Sequence, residues 1–201
     1  MGNVGIIGRA RVGKDTAGAW FVENRGYQRV SFADPLRECA LKLDPIIVPE
    51  DERSDWGEGH VRLSQVIAGM GWERAKDEYP EVRRTLQRIG QGIRAIDPNF
   101  WLRTALKEVT AANEGGQPCV ITDVRYPNEA ASLRRAGFHL VYIHRPDVPQ
   151  LVHESEGAVT ADVADHIVIN NESLADLQRE IHLIADKIYA AESRKHYARS
   201  L

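Results

Sequence analysis

Only two cysteines, Cys39 and Cys119, occur in the 201 residues, and their separation matches no metal-binding spacing. The pattern is that of reduced, buried thiols in a cytosolic protein. No apolar run approaches the ~20 residues that a membrane helix needs. The chain enters a strand-like run at once, without the basic start and apolar stretch of a signal peptide. Met1-Gly2 is not followed by the Ser or Thr of a myristoylation signal, since position 6 is Ile6. Asn171-Glu172-Ser173 fits a glycosylation pattern but has no secretory context. A basic excess is also missing: 26 Lys and Arg stand against 29 Asp and Glu, for a net charge of −3, which argues against a nucleic-acid partner. There is no internal repeat and no low-complexity tract. The expectation is a cytoplasmic protein with neither membrane nor nucleic acid as partner.

The remaining composition, 43% apolar and 27% charged, is that of an ordinary globule. The length suits one domain with a small inserted segment. Strand-like runs at Val4–Ile7, Arg29–Phe32, Cys119–Val124, His139–Ile143 and His166–Asn170 alternate with helical stretches. Helices are predicted from Lys14 to Arg25, after Asp34-Pro35, over 61–70, 80–94 and 98–113, after Pro127, and over 174–188. Asp34 is expected as an N-cap, with Pro35 at the first helical position. Alternation of this kind predicts a three-layer α/β/α fold with a mostly parallel sheet of about five strands. Residues 44–60, rich in acid, proline and glycine, read as a mobile connection within an acceptor-side segment around 44–80. A lid is expected around 145–163.

One stretch carries chemistry directly. "GRARVGKDT", residues 8–16, follows the first strand and opens the first helix. Gly8, Gly13 and Lys14 fit the phosphate-loop spacing G-x-x-x-x-G-K, in which backbone N–H groups converge on phosphate oxygens and the lysine reaches the terminal phosphates. The next position normally holds a hydroxyl that touches Mg²⁺, but here it is Asp15.

"GKDT" together with "FADPLR" (32–37), "LQRIGQGIR" (86–94), "FW" (100–101) and "ITDVRYPNEA" (121–130) resembles the phage-type deoxynucleoside monophosphate kinases, which are P-loop kinases. "HRP" (144–146), "HESE" (153–156) and "ADHIVINNESLADL" (164–177) extend the resemblance over nearly the whole chain. Asp after the loop lysine is typical of that family. The resemblance implies ATP as donor, Mg²⁺ as cofactor, and a deoxynucleoside monophosphate as acceptor. It makes Gly8, Arg11, Val12, Gly13, Lys14, Asp15 and Thr16 the ATP-binding loop, with Arg145 at the start of the lid and Asn170 and Asn171 near the adenine. A carboxylate beside a polyphosphate is repulsive unless a divalent cation stands between them. Asp15 and Asp123, the latter at the place of the Walker B acid, are therefore the expected metal residues; for Asp15 alone, a helix-dipole role is the competing explanation.

The acceptor side is read from helix 80–94. At about 100° per residue, Val82, Leu86, Ile89 and Ile93 form a buried stripe, and Arg84, Arg88 and Gln91 lie opposite as solvated residues. Arg83, Gln87, Gly90 and Arg94 form an edge stripe, suited to a cleft wall: guanidinium forks match phosphate oxygens and an amide can read a base edge. The resemblance points to the same region for the substrate and adds Arg37 and Trp101. Trp101 would stack on a base or lie in the core, and Arg37 would contact substrate or be a surface charge. Arg125 is expected to neutralise phosphoryl charge or anchor the acceptor phosphate. Glu129 would orient a partner or bond the sugar or base, unless the two form a structural ion pair. Lys14, Asp123 and Arg125 are the expected catalytic groups.

No general base is required, because a monophosphate with a second pKa near ~6 is already a dianionic nucleophile at neutral pH. Dephospho-coenzyme A kinase-like or phosphomevalonate kinase-like acceptors, and a non-catalytic ATP-binding switch, are the competing functions. His153, Glu154 and Glu156 imitate a metal cluster but read as a solvated lid edge. Arg53, Arg62 and Trp72 receive no role. Base preference, ribose discrimination and oligomeric state stay open, with a homodimer compatible with the resemblance.

Overall fold

The five main strands of the computed structural model are β1 (Val4–Ile7), β2 (Gln28–Val30), β5 (Cys119–Val124), β6 (His139–His144) and β7 (His166–Ile169). All their pairings are parallel, in the order β2-β5-β1-β6-β7. Residues 2–47, 61–148 and 158–200 are described. They divide into two compact units, 1–32 with 102–201 and 33–101.

The first unit is the three-layer sandwich. β1 is buried throughout and alternates faces: Val4 and Ile6 join Ala17, Trp20 and Phe21 of α1 (Lys14–Arg25) and Leu177, Ile181, Ile184 and Ile188 of α7 (Leu174–Arg199) in one core. Gly5 faces the other way, where a Cβ would stand 3.0 Å from Leu140 and 3.1 Å from Leu133 of α6 (Pro127–Arg135). Near-continuous apolar strands are what a parallel sheet covered on both faces requires. Gly26, at φ 67°, ends α1 as a left-handed cap.

The second unit contains α2 (Ala33–Leu43), α3 (Leu63–Glu78) and α4 (Pro80–Ile96), with α5 (Phe100–Glu114) beginning in it. Its core gathers Ala40, Ile47, Leu63, Val66, Ala75 and Val82, with Leu86 and Ile89 packed against them. A two-residue antiparallel ladder, β3 (Ile46–Ile47) with β4 (Val61–Arg62), was not legible in the sequence, since two residues show no periodicity. α3 is interrupted at Gly71, whose φ 74° and ψ 169° are not helical, so its first stretch ends at 70 as expected and a second stretch follows to Glu78. α2 starts at Ala33, so Asp34 and Pro35 lie inside its first turn, where proline costs no intrahelical bond. α7 continues to Arg199 rather than stopping near 188. Cys119 is buried, with its thiol pushed up by burial, whereas Cys39 is only partly buried. Among the described residues no helix is long and apolar enough to cross a membrane. Arg53, His153, Glu154 and Glu156 lie outside the described residues, as does much of the expected lid.

Candidate active site

β1 is the central strand, so the turn after it lies between the ends of β5 and β6, at the point where the chain switches direction across the sheet. Gly8 (φ 151°), Arg11 (64°) and Gly13 (102°) give the turn its path. A Cβ on Gly8 would sit 2.5 Å from the carbonyl oxygen of Ile143, and one on Gly13 2.8 Å from Nδ2 of Asn170. Both positions need glycine for space as well as for φ. Ala17 N–H makes the first bond of α1, to the carbonyl of Gly13 at 3.0 Å. The N–H groups of Lys14, Asp15 and Thr16 therefore precede the intrahelical ladder, at the positive end of the helix.

Lys14 is 7% exposed, and its Nζ donates to the carbonyl of Arg9 at 2.6 Å, so the ammonium is held over the loop's own backbone. Val12 is buried, Arg11 and Arg145 are exposed, and Asp15 and Thr16 are exposed on the first helical turn. Asn170 has a position that its expected adenine role did not anticipate. Its side chain is buried, with Nδ2 donating to the carbonyl of Val12 at 2.9 Å, while its backbone N–H donates to the carbonyl of His144 at 2.7 Å. It ties the end of β7 to the glycine loop.

The end of β5 is the other half of the corner. Pairing with β1 runs Gly5 to Ile121 and then Ile7 to Val124, so Ile6 alone stands opposite Thr122 and Asp123. A slip of this kind re-aims side chains and is common beside functional sites. Thr122 Oγ1 donates to Asp15 Oδ1 at 3.0 Å. Asp123 accepts from Ser31 Oγ at Oδ2 (2.7 Å) and from the Phe32 N–H at Oδ1 (3.2 Å). β2 stops at Val30 instead of the expected Phe32, and the Phe32 N–H turns to the Asp123 carboxylate rather than to the ladder. Ser31 and Thr122, both buried, were missed in the sequence, because a lone hydroxyl beside an acid has no distinguishing spacing.

Glu129 is also inside the protein, at 2% exposure. Its Oε2 accepts from the N–H groups of Arg125 (2.9 Å) and Tyr126 (3.0 Å), closing the N-terminus of α6. Glu129 thus holds the backbone of Arg125.

In the second unit the edge stripe of α4 is exposed at Arg83 and Gln87 and half-buried at Gly90 and Arg94. Arg83 pairs with Asp77 at 3.2 Å, and Arg94 Nη1 reaches the carbonyl of Pro98 at 3.5 Å. Arg37 contacts Asp34 (3.4 Å) and Glu73 (3.2 Å), and its guanidinium lies 5.7 Å from the ring centre of Trp72, which had no expected role. A hydrogen bond from Lys76 outweighs partial burial and, with the charges of Lys76, Arg37 and Arg83, holds Glu73 below the usual carboxylate range. Trp101 is 4% exposed, with Nε1 donating to the carbonyl of Gly90 at 3.2 Å, so it pins α5 to α4 and does not present a stacking face. Arg84, expected to be solvated, has its Nε enclosed and pairs with Glu81 at 2.7 Å.

Magnesium is held through one or two carboxylates together with phosphate oxygens and water. Among the described residues no group of three or more His, Cys, Asp and Glu could enclose a metal. Asp15 is bonded to Thr122, and Asp123 is the next residue of that strand, so loop and strand each contribute an acidic residue where they meet. This donor set fits a cation shared with a polyphosphate.

A five-stranded parallel sheet with a glycine-lysine loop after its central strand and an acid on the neighbouring strand is the P-loop type of α/β fold. The profile of the family described as "Deoxynucleotide monophosphate kinase" matches residues 62–181, more than half of the chain. The chain belongs to that family. The "Putative deoxynucleotide monophosphate kinase" of Acanthamoeba polyphaga mimivirus is 24% identical over 188 residues, covering 89% of this chain and 93% of its own. "Uncharacterized protein ORF77" of Ictalurid herpesvirus 1 (strain Auburn) is 32% identical over 109 residues, covering 52% of this chain and 48% of its own. The chain thus spans about half the length of that relative. Among solved structures, the dephospho-CoA kinase from Campylobacter jejuni superposes with a TM-score of 0.52 at 12% identity, covering 96% of this chain and all of its own. At that identity the likeness shows the fold alone.

Proposed function

We propose that the protein transfers the terminal phosphoryl group of ATP to a deoxynucleoside monophosphate, yielding the diphosphate and ADP. The observation that carries this reading is the corner of loop and strand, with Lys14, Asp15 and Asp123, in a chain of the deoxynucleotide monophosphate kinase family. The donor phosphates are bound by the N–H groups of residues 8–16 and by Lys14, whose ammonium leaves the Arg9 carbonyl for the phosphate oxygens. Asp15 and Asp123 hold Mg²⁺, which supplies charge neutralisation on the donor phosphates. Thr16 offers its hydroxyl to a phosphate. Arg125, fixed through its backbone by Glu129, and Arg145 offset charge on the group in transfer.

The acceptor is read by Arg37, Arg83, Gln87 and Arg94 of the second unit, with Gly90 and Trp101 shaping α4 and the start of α5. The acceptor phosphate, mostly dianionic above its second pKa near ~6, attacks without a base, so catalysis is a matter of alignment and charge. Coupled ADP release, measured over the four deoxynucleoside monophosphates and their ribose counterparts, tests the reading. Release that appears only when a deoxynucleoside monophosphate is added is the expected result. Slow hydrolysis indifferent to every acceptor would leave an ATP-binding switch, and turnover restricted to a non-nucleotide phosphate would move the protein to another small-molecule kinase.

A further inference from the structure

P-loop proteins ordinarily carry a hydroxyl on the loop, directly after the lysine, and a carboxylate on the neighbouring strand, and both serve the cation. Here the loop position holds Asp15, and the strand offers the Thr122 hydroxyl immediately before Asp123. The two side chains are joined, Thr122 Oγ1 donating to Asp15 Oδ1 at 3.0 Å across 107 residues of sequence. We propose that Thr122 is the positioning residue for Asp15: the strand hydroxyl aims the additional carboxylate that this loop carries at the divalent cation. This rests on the reading of the corner as a magnesium–nucleotide site.

Three independent features hold Thr122 in that place. Its side chain is 3% exposed, so its conformation is set by packing rather than by solvent. Gly18 of α1 faces it, and a Cβ there would stand 2.3 Å from Thr122 Cγ2. The methyl therefore occupies the notch left by the glycine, and a seated methyl leaves the hydroxyl little choice of direction. The register slip between β1 and β5 falls at this residue, where a strand is free to depart from strict alternation of its side chains. Asp15, by contrast, is exposed, on a helical turn where a short side chain has several rotamers. The Thr122 hydroxyl engages one carboxylate oxygen of Asp15 and leaves the other open. Fixing a ligand from behind in this way is how outer partners tune metal sites.

The test is a magnesium titration of fluorescent ATP bound to the full chain, without acceptor. Thr122→Val keeps the methyl and the shape but removes the donor; Thr122→Ser keeps the donor. Metal-free ATP should bind alike to all three proteins. The magnesium concentration that gives half of the tightening should rise on the order of tenfold in Thr122→Val and stay at the unmodified value in Thr122→Ser. Asp15→Asn should raise it comparably, and adding Thr122→Val to that background should raise it no further. A Thr122→Val protein that melts normally and keeps the unmodified midpoint overturns the proposal, as does a full additional loss in the Asp15→Asn background. Should Thr122→Val fail to fold, Thr122→Ala is measured in the same way. Because acceptor is absent throughout, an unchanged midpoint defeats the positioning role alone, whereas ADP release indifferent to deoxynucleoside monophosphates defeats the functional reading beneath it.

Discussion

The glycine-loop corner and the arginine face of α4 both present cations, yet they are built on different terms. At the corner the side chains are tied to buried partners on or just past the strands: Asp123 to Ser31 and Phe32, Asp15 to Thr122, and the loop itself to Asn170. On α4, Arg83 is 49% exposed and its partner Asp77 70%. Surface pairs of that kind contribute at most about 1 kcal/mol, and a bound phosphate can replace the acid at little cost. The first arrangement is preorganised by the sheet; the second is a set of side chains in exposed surface pairs. The corner should therefore respond to changes in its supporting residues, and the α4 face only to changes in the arginines themselves.

The largest effect should come from the support. Asn170→Asp replaces the donor to the Val12 carbonyl by a carboxylate that repels it, while Gly13 leaves room for the new side chain. The dissociation constant for ATP should rise by at least about tenfold, as expected for a buried bond turned into an unsatisfied acceptor. The KM for the acceptor should change much less. Equal losses for both ligands, in a protein with normal melting, would erase the distinction between the regions.

A smaller effect is expected on α4. Arg83→Ala should raise the acceptor KM by about tenfold, the worth of one charge-assisted contact, with ATP affinity unchanged. Arg84→Ala, one residue on, should leave KM alone and lower the melting temperature slightly, since it loses the Glu81 pair. Steady-state kinetics in which the two variants match would break the assignment of helix faces.

The smallest effect lies at the opposite edge of the sheet, where β6 and β7 begin. His139 Nε2 pairs with Glu192 at 2.9 Å and its ring stacks on His166, 6.5 Å between centres. Burial, aided by the charges of His139 and Lys187 and opposed by Asp165, holds His166 below its ordinary value of 6.5. A histidine with a depressed folded-state pKa favours folding while neutral, so its contribution is present above about pH 6.5 and is lost as pH falls below that value. The melting temperature should drop between pH 7.5 and 5.5, and His166→Asn should flatten that slope without altering ATP affinity at pH 7.5. A slope unchanged in the variant would assign the pH response elsewhere.

How far the sequence could be read differs between the same two regions. β5 was legible to the residue, because "CVITDV" is rich in β-branched residues, opens on an apolar run and follows a glycine break. The loop was legible because glycines and lysine at fixed spacing leave few other uses. The α4 stripe was legible for Val82, Leu86 and Ile89, which do pack into a core, since helical periodicity is a one-dimensional property. Trp101 and Glu129 were harder: an aromatic at a helix start or an acid three residues into a helix serves a scaffold as readily as a ligand, and the chain's path alone decides between them.

The order of apolar and polar residues by itself determined that this chain forms a parallel sheet wrapped in helices, with a glycine-lysine loop at its first turn, because those patterns act within a few residues of one another. Only the tertiary structure decided what supports that loop. Asn170, Thr122 and Ser31 meet their partners across 158, 107 and 92 residues of chain. A hydrogen bond between groups so far apart in sequence exists only after strands have paired in register, and a one-residue slip beside Ile6 cannot be seen before they do.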